Sequence, residues 1–290
     1  MTEAFSPEAR ARAALNRADF RASHSLGQNF LLSEGFLADM LDAVPIHDGT
    51  NVLEIGPGAG VMTAMMAARG ARVVAVEIDR HLQPVLESVL SGYENVTVRY
   101  EDILKADLPE LIETAFSSAP YILVANLPYY ITTAVLERMF ALASAPESIC
   151  VMVQEETSRR ILAQPGEKQW CLLSAQAAWY GDGRILRNVP RAYFEPQPHV
   201  DSCFLCLERH ADPPAYVSDE QIFRKTVQAA FMMRRKTLLN NLRAAFSLTR
   251  DEAERILASA GLPPGIRGEA LNIRELADVS NVLAGSLHSR

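Results

Sequence analysis

Val52-Leu53-Glu54-Ile55-Gly56-Pro57-Gly58-Ala59-Gly60 decides the fold class. A short apolar run ends on alternating glycines and helical spacing begins near Val61, so the stretch predicts a strand, a tight turn and a helix. Glycine there allows positive φ and lets a ligand approach bare backbone. A tight turn of this kind also forms with no ligand, so the spacing has to decide. A dinucleotide fingerprint would place its third glycine at position 61, where this chain has Val61, and a phosphate loop would need a Gly-Lys-Ser/Thr ending that is absent. Gly-x-Gly-x-Gly suits a nucleoside ligand lacking phosphates.

Outward from this turn, short β-branched runs beginning near Asn51, Arg72, Asn95, Tyr121, Ser148, Arg184 and Val200 alternate with helical patterns such as Thr132 to Ala143. That alternation predicts an α/β domain whose parallel sheet is covered on both faces. Before it lie a helix candidate around Pro7 to Ala18, a loop at Ser25 to Leu32 and a helix starting near Ser33. Pro213-Pro214 punctuates the chain after the last strand, so the expected division is 1–210 and 211–290. Ser218 with Gln221 and Thr249 with Glu252 fit capping boxes, and the second domain reads as three or four helices.

Open α/β sheets bind ligands beyond the carboxyl ends of their strands. Glu77, at the end of the second strand and 21 residues past Gly56, can accept hydrogen bonds from both ribose hydroxyls. Asp102 follows the third strand, where a carboxylate could accept from an adenine amino group; alone it reads sooner as a helix cap or an exposed loop acid, but three ligand-type groups at three successive strand ends face one crevice. The fourth strand runs into Asn126-Leu127-Pro128-Tyr129. An exocyclic adenine amine is a poor nucleophile because its lone pair is delocalised into the ring, and two acceptors bonded to its hydrogens favour a pyramidal nitrogen. The Asn126 amide oxygen and the Leu127 carbonyl would be those acceptors, with Pro128 stiffening the turn and Tyr129 offering a face for stacking.

Composition narrows the class. In 290 residues, 49% apolar content supplies a sizeable core, and 22% charged residues exclude a multispanning membrane protein. No apolar run reaches the length of a membrane span, so a cytoplasmic location and no membrane partner are expected. Cys150, Cys171, Cys203 and Cys206 are too few for a disulfide framework. Cys203 and Cys206 form a Cys-x-x-Cys near His199 and His210, but strand alternation points them to opposite faces and no second pair completes zinc ligation; no metal is expected. The net charge of −7 hides an asymmetry. Residues 221–250 carry Arg224, Lys225, Arg234, Arg235, Lys236, Arg243 and Arg250 with no acid, so this segment is +7 and the remainder −14. An anionic partner for this segment follows as an expectation.

The chain resembles the small-subunit ribosomal RNA adenine dimethyltransferases over nearly its whole length. The resemblance rests on Leu26-Gly27-Gln28-Asn29-Phe30-Leu31, Glu54-Ile55-Gly56-Pro57-Gly58, Val76-Glu77-Ile78-Asp79, Asn126-Leu127-Pro128-Tyr129, Phe194-x-Pro196-x-Pro198-x-Val200-Asp201-Ser202 and Arg234-Arg235-Lys236-Thr237-Leu238-x-Asn240-Asn241-Leu242. It implies a class I S-adenosylmethionine-dependent methyltransferase, a Rossmann-like seven-stranded sheet with a small all-helical C-terminal domain that binds RNA. It further implies that two adjacent adenosines near the 3′ end of small-subunit rRNA each receive two methyl groups on N6, in an immature subunit; a monomer is the default expectation, on which the sequence itself is silent. Asn29, Leu31, Gly56, Gly58, Glu77, Asp102 and Asn126 would contact or border S-adenosylmethionine. Asn126, Leu127, Pro128 and Tyr129 would form the turn that holds the target base, Phe194 would close over its other face, and Arg234, Arg235 and Lys236 would grip RNA. The chain departs from the family in having only Arg21 and His24 before Gly27, Glu155 where lysine is common, and Cys171 where glycine is usual. The rival readings are an adenine methyltransferase of large-subunit rRNA or DNA, a non-catalytic assembly factor, and a nicotinamide oxidoreductase, which Val61 and the Asn126 turn disfavour.

Overall fold

A computed structural model describes residues 6–288. Its strands are β1 (Phe30–Leu31), β2 (Asn51–Ile55), β3 (Arg72–Glu77), β4 (Val96–Tyr100), β5 (Ile122–Asn126), β6 (Ser148–Gln154), β7 (Gly181–Val189), β8 (Phe194–Glu195) and β9 (Ser202–Arg209). Its helices are α1 (Pro7–Arg17), α2 (Glu34–Leu41), α3 (Val61–Ala68), α4 (Gln83–Val89), α5 (Leu108–Phe116), α6 (Thr132–Phe140), α7 (Glu155–Ile161), α8 (Leu172–Tyr180), α9 (Glu220–Met232), α10 (Leu238–Phe246), α11 (Arg250–Ser259) and α12 (Ile273–His288). All seven expected strands form, each within two residues of its expected start except β7, which starts three residues earlier.

The seven-stranded sheet has the order β4-β3-β2-β5-β6-β9-β7. Neighbours from β4 to β6 are parallel, and β9 runs antiparallel to β6. Chain order reverses direction on either side of β2, so the gap between the carboxyl ends of β2 and β5 is the switch point where ligands enter such sheets. Val52, Leu53, Val73, Val74, Leu123, Val124, Ile149 and Val151 are buried, as expected of strands covered on both faces. A separate two-stranded antiparallel pair, β1 with β8, joins Leu31 to Phe194 and Phe30 to Glu195; nothing in the periodicity of two-residue strands announces it.

The chain divides into two units, but not at 210. Among the described residues, one unit comprises 6–158 with Arg184–Arg209; the other comprises Arg159–Gly183 and 210–288. The expected division at 210/211 is therefore corrected: residues 159–183 leave the sheet and pack with the C-terminal helices. The cause is aromatic burial. The Trp170 indole N–H donates to the Leu271 carbonyl at 3.2 Å, its ring meets Phe231 edge-on at 6.0 Å, and Trp179 packs on Phe223 at 4.2 Å. Trp170 is fully enclosed in a core that includes Leu238, Leu242, Leu257, Leu276 and Leu283. The Thr249–Glu252 capping box forms as expected. The Ser218–Gln221 box does not: Asp219 caps α9 by accepting from the Ile222 N–H at 2.9 Å, while the Ser218 N–H donates to Asn281 Oδ1.

Candidate active site

The carboxyl ends of β2, β3 and β5, the segment after β4 and the loop entering β1 enclose one cleft. Asn29, Leu31, Gly56, Gly58, Glu77, Asp102, Asn126, Leu127, Pro128 and Tyr129 all line it. Gly56, Gly58 and Gly60 have φ of 70°, 56° and 80°, the left-handed region that side chains avoid. Gly58 has no room for a side chain either, since a Cβ there would lie 3.0 Å from the Phe30 ring.

Glu77 is buried at the end of β3. Its Oε2 accepts the Gly58 N–H at 3.2 Å and its Oε1 accepts the Asp79 N–H at 2.9 Å. Burial raises its pKa, and these two backbone donors oppose the rise. Each oxygen keeps a further lone pair, so the carboxylate can accept from two ribose hydroxyls while holding the glycine turn. Asp102 does two things at once: Oδ1 accepts the Leu104 N–H at 3.0 Å, and Oδ2 lies 3.4 Å from Lys105 Nζ. It both caps the following turn and faces the cleft.

Asn126 ends β5. Its Nδ2 donates to the Asn29 carbonyl at 3.1 Å, and among the described residues its amide oxygen has no partner. The donor end of the amide is thereby fixed and the acceptor end left available. Tyr129 is anchored through its hydroxyl to Ser202 Oγ at 2.8 Å, and burial raises its pKa against that bond. Two residues that the sequence reading gave no role brace the wall of the cleft: Gln28, which lines it, and Asp79, which holds Gln28 from behind. Gln28 Nε2 donates to Asp79 Oδ2 at 2.8 Å, and Gln28 Oε1 accepts the Ser23 N–H at 2.7 Å. Burial works against the Asp79 charge, but bonds from Gln28 and His81 outweigh it and hold its pKa below the ordinary value. Both residues stand inside the quoted motifs, so the signal was present without its meaning.

Phe194 is a correction. It is buried in the core of its unit and paired through β8 to Leu31, and it is not among the residues that line the cleft. An extended loop presenting the ring was expected; the β1–β8 pairing draws the ring inward instead. The exposed aromatic at the cleft is Tyr130, which lines it with a relative exposure of 62%.

The basic segment is less unopposed than its sequence. Arg224 pairs with Glu220 at 2.7 Å, Arg250 with Glu254 at 2.7 Å and Arg234 with Glu269 at 3.3 Å, all acids from outside residues 221–250. Lys225 Nζ lies 4.6 Å from the Phe246 ring centre. Among the described residues Arg235, Lys236 and Arg243 meet no carboxylate; Arg235 and Lys236 lie exposed in the turn between α9 and α10. No cluster of three metal-ligating side chains occurs among the described residues, and none of their helices is long and apolar enough to cross a membrane.

The model of the family described as ribosomal RNA adenine dimethylase matches residues 19–282. The chain belongs to this family. Its relatives include the ribosomal RNA small subunit methyltransferase A of Geobacillus thermodenitrificans, 40% identical over 278 residues, with 94% of this chain and 95% of the relative covered. The protein of the same name from Streptococcus pneumoniae is 42% identical, with 94% and 96% covered. Among solved structures, the 23S rRNA methyltransferase ErmE superposes with a TM-score of 0.64 at 26% identity, covering 88% of this chain and all of that one. A dimethyladenosine transferase from Plasmodium falciparum gives a TM-score of 0.67 at 20% identity, covering 85% and 94%. The dimethylase takes its methyl groups from S-adenosylmethionine, whose sulfonium supplies an electrophilic methyl carbon. The cleft fits that group: Glu77 has acceptor capacity for a ribose, and the left-handed glycine turn at Gly56 and Gly58 lines the cleft beside it.

Proposed function

We propose that this dimethylase places two methyl groups on N6 of each of two adjacent adenosines near the 3′ end of small-subunit rRNA, acting as a monomer on immature subunits in the cytoplasm. The observation that carries the catalytic half is the Asn126–Asn29 hydrogen bond, which leaves an amide oxygen at the rim of the nucleoside cleft with nothing to accept. The two relatives of nearly equal length, both named for the small subunit, support the choice of substrate.

In this reading the adenine is extruded from its stack and its two N6 hydrogens bond to Asn126 Oδ1 and the Leu127 carbonyl. Tyr129, held by Ser202, presents its ring to the base. Positioning dominates the catalysis, because charge is moderated rather than built in an in-line displacement of this type. No side chain is needed as a general base: the methylated nitrogen is a strong acid as a cation and loses its proton to water. Glu77 and Asp102 hold the adenosine part of the cofactor, Asn29 and Leu31 cover it, and Arg235 and Lys236 bind RNA phosphates, with Arg234 joining them when its pairing with Glu269 yields.

The test is mass spectrometry of rRNA fragments from a strain with and without the protein, across both subunits. Two adjacent dimethyladenosines in the small subunit that depend on the protein are expected. Dependent methylation confined to the large subunit, the activity named for ErmE, would replace the substrate, and no dependent methylation would leave an assembly factor. A double reversal, Arg235→Glu with Lys236→Glu, is expected to weaken RNA binding and to reduce the slope of log affinity against log salt by about two, read from a filter-binding salt series. An unchanged slope removes this turn from the RNA contact.

A further inference from the structure

The Cys-x-x-Cys of residues 203–206 finds its partner elsewhere. β9 alternates, so Cys203 and Cys206 face opposite sides of the sheet. Cys206 shares its face with Phe204 and stands directly opposite Cys150 in the antiparallel β6–β9 ladder. The two sulfurs are 2.7 Å apart, both thiols are free, and both residues are buried, at 0% and 1% exposure. That separation is well inside the contact distance of non-bonded sulfurs, and residues directly opposed in an antiparallel pair have the Cα spacing that a disulfide requires.

We propose that Cys150 and Cys206 are an oxidisable pair that closes to a cross-strand disulfide, an intrachain redox modification between β6 and β9 of the large sheet. Neither motif reading nor the dimethylase reaction uses these thiols, and the proposal stands apart from the choice of RNA. The oxidant is a peroxide small enough to enter a close-packed interior. The Cys206 thiolate attacks one peroxide oxygen, the O–O bond breaks and hydroxide leaves, taking a proton to become water. The Cys150 sulfur then attacks the resulting sulfenic sulfur, forming the S–S bond and expelling the second oxygen as water; two thiols lose two electrons and the peroxide gains them. The order follows from the hydrogen bond between the thiols, which holds the pKa of Cys206 below its ordinary value and, with burial, pushes that of Cys150 up. Closure shortens one sulfur–sulfur distance within an existing ladder, so the fold accommodates it. Because both thiols are buried, reaction depends on brief local opening and is slow.

The disulfide would tie β6 to β9 behind the ladder pair Gln154–Ser202, and Ser202 is the anchor of Tyr129. Among the described residues, Cys171 is the more exposed competitor for an oxidant, half-buried with its pKa lowered against burial by Ser174.

The experiment treats the full chain with hydrogen peroxide, alkylates remaining thiols and digests it under non-reducing conditions. The expected result is a peptide pair joined through Cys150 and Cys206, a mass 2 Da lower, and two fewer alkylated thiols, all reversed by dithiothreitol. A Cys171→Ser, Cys203→Ala variant, which keeps the pair and touches neither thiol, is expected to lose all reactive thiol on oxidation and to gain a higher urea midpoint. Oxidation confined to Cys171, a bridge to Cys203, or both pair thiols still fully alkylated after extended treatment of that variant would each overturn the proposal. Since these readouts need neither RNA nor cofactor, failure here leaves the RNA reading intact, and failure of that reading leaves this one.

Discussion

Asn126→Ala is expected to lower single-turnover methyl transfer by about 10²–10³-fold, the scale seen when one preorganised hydrogen-bonding group is removed from a reacting centre, while cofactor affinity falls far less. The amide does two separable things. Its Nδ2 ties β5 to the loop that carries Asn29, and its oxygen is the free acceptor. Truncation removes both and leaves the Asn29 carbonyl without that donor. Asn126→Asp separates them: it keeps an acceptor oxygen but sets a carboxylate against the Asn29 carbonyl, so the loop is pushed away while the base can still be gripped. The Asp variant should therefore lose cofactor affinity more than the Ala variant does and retain more of the methyl-transfer step at saturating cofactor. Equilibrium binding of S-adenosylmethionine, measured beside single-turnover transfer of labelled methyl to immature small subunits, gives the two numbers. Near-normal transfer by the Ala variant would take Asn126 out of the mechanism.

The glycine turn, Glu77, Asp102 and the Asn126 turn were legible in the sequence because each stands at the end of a strand whose β-branched run is unmistakable, and parallel topology gathers strand ends on one side. Phe194 was misplaced for the opposite reason. Its surroundings are prolines, which favour extended chain, but whether an extended chain projects a ring or pairs it inward depends on Phe30 and Leu31, more than 160 positions away. The domain boundary failed on the same ground: Pro213-Pro214 marks a real break, yet the contacts of Trp170 and Trp179 with Leu271 and Phe223 are invisible to any local window. The basic segment shows the limit for charge. Counting gave +7, and three of its arginines are met by Glu220, Glu254 and Glu269, which lie just outside the counted window or brought in by the fold. What remains without a carboxylate among the described residues is shorter: Arg235 and Lys236 in a turn, with Arg243 nearby in sequence.

The second large effect is expected at Glu54, two residues before Gly56 and not among the residues that line the cleft. It lies in the middle of the sheet on β2, fully buried, and neither carboxylate oxygen has a protein partner. Burial raises its pKa to about 8; the Thr63 hydroxyl faces the carboxyl and opposes the rise without closing a hydrogen bond, and the Glu77 charge adds to it. Below the ordinary carboxylate range, folded and unfolded chains are both protonated and Glu54 has no electrostatic cost. Between that range and pH 8 the unfolded chain releases the proton while the folded chain keeps it, so stability falls steadily as pH rises, and above pH 8 the full cost is present. The span corresponds to roughly 3–5 kcal/mol. Glu54→Gln keeps the shape and the polar group but cannot ionise, so its stability should show none of this component. Urea unfolding at pH 5, 7 and 9 is expected to find wild type and variant similar at pH 5, with the variant ahead by a margin that grows to pH 9. The cofactor cleft should survive the change, because the Gly58 N–H is held by Glu77 and not by Glu54. Parallel stability curves across that range would mean that Glu54 is ionised in the fold and has found a partner. The strand beneath the glycine turn would then carry a buried charge, and the cationic partner it requires would have to be sought in the space between β2 and α3, where Thr63 now stands alone.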